Sequence, residues 1–212
     1  MKKTIILTFT LVTVFMINII KSQTKYDLEK LAYRTAITEV LKGKDAYPEE
    51  RELASSLPCL TTNSVNKFKF GTVEFTSGGQ NGAKSDLSST VSFLFTDQKH
   101  TKLVGLVIRI EKKTEAKKLG KYMAAKYGKG IVLAAVPKPR ATGEVLGYPA
   151  VFYVDKKTNQ TIVVADNYTE IDGKPDFSTD LFIIDNGIKV ADQGSSDTVA
   201  ERLKRSYKRL QE

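Results

Sequence analysis

The chain of 212 residues carries 33 Lys and Arg against 24 Asp and Glu, which gives a net charge of +9. This mild excess favours solubility and weak attraction to anionic surfaces, and it indicates no specific ligand by itself. One cysteine, Cys59, excludes an internal disulfide, and with the single histidine, His100, it excludes a zinc site built from several cysteine and histidine ligands.

Residues 1–22 have the organisation of a secretory signal peptide. Two lysines precede an uncharged, largely apolar run at 4–20, and Ser22 is a small residue before a cleavage point that would leave Gln23 as the new N-terminus. The run is shorter than the ~20 residues that a membrane-spanning helix needs, which favours cleavage near Ser22. The alternative is an uncleaved anchor, and both interpretations place the remainder of the chain in the periplasm or outside the cell. The Met-Lys-Lys start and the lack of a cysteine pair favour a bacterial protein.

Residues 23–60 are predicted to form an N-terminal helical segment. Apolar residues recur at spacings of three and four over 25–42, which predicts one helix with a single apolar face. The proline and acidic residues that open 48–57 predict a second short helix, because proline suits a first turn and acids suit the N-terminal end of the helix dipole. Cys59 follows among apolar neighbours and is predicted to be a buried, unreactive thiol.

Three strands are predicted in the next part of the chain, over 66–75, 89–97 and 102–111. Gly71 interrupts the alternation of the first strand and suggests a bulge. Short polar connections predict that the three strands are adjacent and antiparallel. His100 lies in the turn between the last two, and a surface position is favoured over a catalytic one because no nucleophile motif accompanies it.

A helix is predicted over 114–128, where Thr114 is a suitable N-cap and Gly128 a suitable stop. The apolar run at 131–136 then predicts a short buried strand.

Two long loops are the first places to expect a binding surface, because recognition residues concentrate on loops held by a rigid scaffold. The loop at 76–90 is rich in glycine, serine and asparagine. The loop at 136–148 contains several prolines and glycines, and Lys138 and Arg140 make it basic.

Two hairpins are predicted beyond these loops. The strands 149–155 and 161–166 flank a polar turn, and the strands 180–185 and 188–192 flank an Asn-Gly dipeptide, which is typical of two-residue turns with positive φ. A long acidic loop at 166–180 is predicted to separate the hairpins. Its spacing fails the EF-hand pattern, which favours a solvated loop over a calcium site.

The chain ends in a predicted helix with a capping box at Thr198 and Glu201. Its basic residues, among them Arg202, Arg205 and Arg209, would suit an anionic membrane surface or an acidic partner. The favoured alternative is that these cations form the solvated outer face of a helix packed on the core, because its apolar stripe is that of an ordinary core helix.

These elements predict an α+β fold in which a curved antiparallel sheet and helices on one of its faces form two layers. Residues 61–212 are predicted to form a single domain. The order of strands and helices suggests a duplicated β-β-β-α unit, although no residue-level repeat accompanies it.

The expected function is that of an exported, non-catalytic binding protein, such as an inhibitor, an immunity protein or an envelope-associated module. No catalytic residue, metal or cofactor is predicted, and the protein is expected to be a monomer. The partner would be a protein or an envelope component, with an anionic membrane surface for the C-terminal helix. Nucleic acid is not expected, because the aromatic residues occupy core-like positions. The alternatives are a hydrolase that uses paired carboxylates of the acidic loop and a membrane-surface protein that uses the C-terminal helix.

Overall fold

The computed structural model describes residues 24–33, 36–52, 54–77, 88–133, 138–139, 145–146, 150–171, 174–189 and 197–209. The strands in these ranges are β1 (Tyr26–Asp27), β2 (Tyr47–Glu49), β3 (Cys59–Thr62), β4 (Phe68–Phe70), β5 (Val73–Glu74), β6 (Thr90–Phe95), β7 (Leu103–Ile110), β8 (Ile131–Leu133), β9 (Lys138–Pro139), β10 (Val145–Leu146), β11 (Ala150–Asp155), β12 (Gln160–Ile171) and β13 (Lys174–Asp185). The α-helices are α1 (Ile37–Leu41), α2 (Lys113–Tyr127) and α3 (Val199–Arg209), and single 3-10 turns lie at Leu28–Lys30 and Val65–Lys67.

The central element is an eight-stranded sheet with the order β2-β3-β6-β7-β13-β12-β11-β8. Every neighbouring pair in this sheet is antiparallel. The predicted α+β class, with mainly antiparallel strands and few helices, is therefore confirmed. The predicted pairing of β6 with β7 is also confirmed, and so is the hairpin formed by β11 and β12.

The helices lie on both faces of the sheet, so the prediction of two layers with helices on one face is wrong. Leu119 and Met123 of α2 are fully buried in a core cluster that includes Ile183 of β13. Val199 and Leu203 of α3 are buried in a second cluster on the opposite face, where they join the neighbouring strand residues. Because β7 and β13 are apolar on both faces, each face needs a cover, and the result is three layers.

The N-terminal segment does not form the single helix predicted over 25–42. Residues of β1 pair in parallel with β4, and the Asp27 carboxylate accepts hydrogen bonds from the backbone N–H groups of Glu29 (3.3 Å) and Gly71 (3.0 Å). These contacts hold the chain extended before the 3-10 turn, and the later helix, α1, has only five residues. The apolar positions Leu28 and Val40 are nevertheless buried, as an apolar stripe requires.

The second predicted helix, over 48–57, is also replaced by other structure. Tyr47–Glu49 forms β2, an edge strand in which Pro48 is tolerated because one side of the strand has no partner in the sheet. The Glu52 carboxylate then accepts the backbone N–H groups of Ala54 (3.0 Å) and Ser55 (2.6 Å). This local turn returns the chain to β3, which the sequence analysis missed.

Gly71 forms a tight turn rather than a bulge, with a φ of 58°. The turn joins β4 to β5, and these two strands form a separate three-stranded sheet with β1. The prediction that the first of the three strands lies beside β6 is therefore wrong, because β6 pairs with β3 and β7 instead. The duplicated β-β-β-α unit is not confirmed.

The acidic loop predicted at 166–180 is a continuation of the hairpin of β12 and β13. The register runs without interruption from Gln160 opposite Asp185 to Ile171 opposite Lys174. Among the described strands, β11 pairs with β12 only as far as Ala165, and β7 pairs with β13 only from Thr179. The two-stranded extension at 166–171 and 174–179, here called the arm, thus projects from the sheet.

Helix α2 ends at Gly128 with a φ of 74°, as predicted, although its N-cap is Lys112 instead of Thr114. The capping box of α3 is confirmed, since Thr198 and Glu201 exchange hydrogen bonds of 2.8 and 3.2 Å with each other's backbone N–H groups.

Two further predictions for short strands need correction. Of the buried strand predicted at 131–136, the structure describes β8 (Ile131–Leu133), which is a sheet edge at which Ile131 and Val132 are exposed by 57% and 53%. Asn186 and Gly187 form a turn, but neither has the positive φ that was predicted. The strand expected at 188–192 lies mostly outside the described residues.

Candidate functional site

A groove of about 430 Å³ lies between α2 and the base of the arm. Apolar side chains of Ile110, Val151 and Val164 form its floor, together with Ala116 on α2. Lys117 and Asp166 are on opposite walls, one on the helix and the other on β12. An apolar concave surface with a few polar groups at its rim is the usual character of a small-molecule site.

The helix wall of the groove is held in place from below. The Glu115 carboxylate, at the first turn of α2, is buried and accepts hydrogen bonds from the Thr76 hydroxyl (2.5 Å) and the Thr76 backbone N–H (3.4 Å). One turn further along, Leu119 is fully buried in the core. Because these contacts fix α2 at its inner face, the groove is a feature of packed elements and is preorganised for a ligand.

The strand wall is held by a hydrogen bond across the hairpin. Asp166 lies opposite Thr179, whose hydroxyl donates to Asp166 Oδ1 at 2.7 Å. On the facing helix, Gly120 also lines the groove, and a Cβ added there would meet no atom within 4 Å. Gly120 therefore leaves an open space that a longer side chain would occupy.

The opposite face of the sheet carries an ion pair whose carboxylate is buried and whose guanidinium is partly exposed. Nε and Nη2 of Arg109 donate to the two carboxylate oxygens of Asp180 at 3.1 and 3.3 Å, and Asn167 Nδ2 donates to Asp180 Oδ2 at 2.8 Å. Burial raises the pKa of Asp180 above its ordinary value, and Arg109 opposes this shift. The attraction of Asp180 in turn raises the pKa of Arg109.

Arg109 also lines a second cavity of about 240 Å³ on that face, with the acidic side chains Glu49 and Glu52. The hydroxyls of Thr61 and Ser92, 2.8 Å apart, lie at its wall. Both carboxylate oxygens of Glu52 already accept hydrogen bonds from backbone N–H groups of the turn after β2. These polar side chains of the cavity therefore have partners within the protein.

The carboxylates of the predicted acidic segment do not converge where the structure describes them. Asp166 lines the groove, whereas Asp180 contacts Arg109. The two residues occupy neighbouring register positions of the hairpin, and side chains at neighbouring positions lie on opposite faces. Within the described ranges, no group of three or more His, Cys, Asp and Glu side chains is arranged to hold a metal ion. The side chains of Glu170 and Asp176 and the residue Asp172 lie outside that description.

The basic residues predicted as a binding surface are not assembled into one site by the described structure. Lys138 lies on β9, which forms a two-stranded sheet with β10, and Arg140 is outside the described residues. On α3, Arg205 pairs with Asp197, and Arg202 is half-buried and also has an interaction partner. Arg209 is the last residue of the helix, and its side chain is not described.

His100 occupies a turn, as predicted, and is half-buried with a φ of 54°. Its ring packs edge-on against Phe95, with 4.9 Å between the ring centroids. This contact gives the ring a packing role, and His100 is not among the residues that line the groove.

Cys59 is a buried free thiol, as the sequence predicted. Burial raises the pKa of Cys59 to about 12, and the neighbouring Glu49 carboxylate, 3.7 Å from Sγ, adds to the shift. We expect the native protein to react with a thiol reagent at neutral pH roughly a hundredfold or more slowly than the unfolded chain, because both access and thiolate are lacking. Timed labelling with and without guanidinium chloride measures this ratio, and equal rates would contradict the burial.

Comparison of the chain with protein-family models, curated proteins and solved structures found no match. None of the described helices combines the length and apolar character needed to cross a bilayer. The fold thus defines the protein as an α+β protein with an antiparallel sheet. What the groove binds must be inferred from the side chains that line it.

Sequence reasoning missed the groove because its parts are distant in the chain. The one local signal was Gly120, an isolated glycine in the middle of a helical pattern, which often has a packing or functional reason. From the sequence, Val151 and Val164 are recognisable only as strand residues. The strand register places them side by side under α2.

Proposed function

We propose that the protein is an exported, non-catalytic binding protein that holds a small amphipathic ligand in the groove between α2 and the arm. The observation that carries this proposal is an apolar floor beneath a rim of opposite charges, in a groove of about 430 Å³. Ligand pockets commonly have volumes of about 300–1,000 Å³ and the same combination of apolar lining and few polar groups.

The chemistry of the two walls defines the ligand class. The floor of Ile110, Val151 and Val164 favours an apolar body, since burying it removes apolar surface from water on both sides. Lys117 is exposed at the rim and can donate to an anionic group, while Asp166 retains the oxygen that Thr179 does not use. The ligand is therefore an apolar molecule with a polar or anionic end, and the cell envelope is one source of such molecules.

The proposal of export is supported by the charged start, the apolar run at 4–20 and the small residue Ser22. N-terminal sequencing of protein recovered from cell fractions tests it. A new N-terminus at Gln23 in the exported fraction is the expected result, and intact protein found only in the cytosol would contradict it.

Substitution of Gly120 provides the test of the groove. We expect Gly120→Leu to weaken binding of 8-anilinonaphthalene-1-sulfonate by at least about tenfold, because the new side chain enters the space that the ligand needs. Binding is measured by the fluorescence of the probe, whose apolar rings and sulfonate match the groove. Shifts in the methyl resonances of Val151 and Val164 locate the bound probe.

Gly120→Ala is the matched control. Alanine should stabilise α2 by roughly 0.5–1 kcal/mol, because glycine loses more backbone entropy in a helix, and its single methyl should leave probe binding within about twofold of the original. Thermal unfolding verifies that both variants fold. A Gly120→Leu protein that is folded and binds the probe as tightly as the unsubstituted protein would overturn the assignment of the groove.

A further inference from the structure

The second cavity, on the face of the sheet that carries Arg109, is bordered mainly by polar side chains. Its volume is about 240 Å³, and it extends from the edge strand β2 across β3 and β6 to β7. Among its described lining residues, Val107 is the one aliphatic side chain. It is here called the polar cavity, and its lining includes Tyr47, Glu49, Thr61, Asn63, Ser92 and Arg109.

The strand register brings the polar groups of this cavity together. Tyr47 pairs with Thr61 across β2 and β3, and Thr61 pairs with Ser92 across β3 and β6. Residues directly opposite each other share a face of the sheet. Thr90, two positions before Ser92, lies opposite Arg109 of β7, so this pair is on the same face. Hydroxyl groups from three strands therefore border one concavity.

The row of hydroxyl groups differs from an ordinary solvated strand surface. Thr61 and Ser92 are only 2% and 8% exposed. Their hydroxyls share one hydrogen bond of 2.8 Å, which leaves the pair a further hydrogen and several lone pairs. The Cys59 thiol, 3.7 Å from the Thr61 hydroxyl, is a weak partner for these groups. The pair is thus fixed in position and retains hydrogen-bonding capacity for a ligand.

The cation of the polar cavity is held in place and its charge is balanced. Arg109 donates from Nε and Nη2 to Asp180, and the side chain of Arg109 is still 39% exposed. A guanidinium has five N–H donors, so donors remain for a group in the cavity. Because Asp180 already supplies a matching negative charge, Arg109 can donate hydrogen bonds to a neutral ligand without leaving a cation unpaired.

Two carboxylates face the same space. Glu52 accepts backbone N–H groups with both oxygens, and Glu49 Oε2 accepts the weak S–H donor of Cys59 at 3.7 Å. Glu49 therefore has capacity for a stronger donor. The flanking residues Glu50 and Arg51 are exposed and are not among the lining residues. These charges favour a ligand that donates hydrogen bonds and oppose one that carries a negative charge.

An aromatic ring and an amide form the outer part of the lining. Tyr47 is 44% exposed on the edge strand, and Asn63 is exposed just after β3. An exposed tyrosine offers an apolar ring face together with a polar end, and an asparagine amide both donates and accepts. Burial, and then the Glu49 carboxylate, raise the pKa of Tyr47, so its hydroxyl stays protonated at neutral pH.

We propose that the polar cavity binds one sugar ring, either neutral or carrying an ammonium group. A sugar presents several hydroxyls, which need donors and acceptors at once, and C–H faces that pack on an aromatic ring. The volume is below the ~300 Å³ at which sites for drug-sized ligands begin, so a single ring fits better than a chain. This site lies on the opposite face from the groove and is independent of it. The ring could be a free monosaccharide or one unit of a glycan.

Nuclear magnetic resonance titration of the full chain with N-acetylglucosamine tests the proposal. We expect saturable shifts of the backbone amides of Thr61, Thr90 and Ser92. Tyr47→Ala should weaken the affinity by roughly fivefold or more, because the ring face is lost, whereas Tyr47→Phe should stay within about twofold. Asn63→Ala should weaken it by roughly two- to fivefold through loss of a hydrogen bond. Both positions are exposed, so these variants should fold, and thermal unfolding verifies this.

Ile131→Ala is the matched control, because it removes an exposed side chain at the other edge of the same sheet. It should leave the affinity within about twofold. Equal weakening by Tyr47→Ala and Ile131→Ala, or no saturable shift at these amides in a folded protein, would overturn the site.

Related sugars test the charge and the source of the ring. Glucosamine should bind about as well as N-acetylglucosamine, and glucuronate should bind at least about fivefold more weakly because the two carboxylates repel it. Tighter binding of glucuronate would contradict the proposal. The tetramer of N-acetylglucosamine distinguishes the sources. Affinity more than about tenfold above that of the monomer supports a glycan, and affinity within the roughly fourfold that four equivalent rings provide supports a free sugar.

Discussion

Arg109→Met should lower the free energy of unfolding by about 3–5 kcal/mol at neutral pH, because it leaves the Asp180 carboxylate buried without its cationic partner. The side chain of Asp180 is only 6% exposed, whereas that of Arg109 is 39% exposed. The reverse change, Asp180→Val, should therefore cost less, about 1–3 kcal/mol, since the guanidinium left behind can reach water. Denaturant unfolding of the two variants measures the asymmetry.

The double variant, with both Arg109→Met and Asp180→Val, completes the cycle. Replacing a buried ion pair by apolar residues of similar size is often nearly neutral, so we expect it to fall within about 1 kcal/mol of the original protein. A double variant as unstable as the sum of the two single ones would show that the pair is not coupled.

The deficit of Arg109→Met should depend on pH. Burial raises the folded-state pKa of Asp180 above its ordinary value of 3.8, and removal of Arg109 also removes the effect that opposes this shift. An acid with a raised pKa destabilises the fold as pH rises from the unfolded value through the folded value. The deficit should therefore be smaller near about pH 4 than near about pH 7. Unfolding curves at both values, with the original protein as reference, provide the check.

Gly71→Ala should destabilise the protein by about 2–4 kcal/mol, from two separate causes. The first is backbone strain, since the φ of 58° is unfavourable for a residue with a Cβ. The second is a collision, because the new Cβ would overlap the Tyr122 hydroxyl. Tyr122 cannot move without loss, because that hydroxyl donates to Glu29 Oε2 at 2.6 Å and its ring packs edge-on against Phe70.

A second glycine separates these causes. Gly43 has a similar φ of 68°, and a Cβ there would meet nothing within 4 Å, so Gly43→Ala should show the strain alone, about 1–2 kcal/mol. In a Tyr122→Ala background, Gly71→Ala should cost no more than Gly43→Ala. Thermal or denaturant unfolding of the original protein and the four variants gives the comparison, and an undiminished cost in the Tyr122→Ala background would exclude the collision.

The groove is formed by α2 and the central strands, so its shape depends on the core beneath Leu119 and Met123.

Local patterns were sufficient for those elements whose strongest preference agrees with the fold. The alternation of β6 and β7, the period of α2, its stop at Gly128, the capping box at Thr198 and the burial of Cys59 were all predictable from the sequence. Each depends on residues a few positions apart, which act the same way in many tertiary contexts.

Tertiary contacts decided the elements for which local preferences compete. The apolar spacing at 25–42 suits a helix, but pairing of β1 with β4 and the bonds to Asp27 hold part of it extended. The sequence of the arm predicts an acidic loop, whereas the structure joins β12 to β13 through twelve consecutive residue pairs. Arg109 and Asp180 are 71 positions apart, and the residues of the groove come from four strands and a helix. Neither this ion pair nor the groove could be found from the sequence by itself, because strand register determines which distant side chains share a face of the sheet.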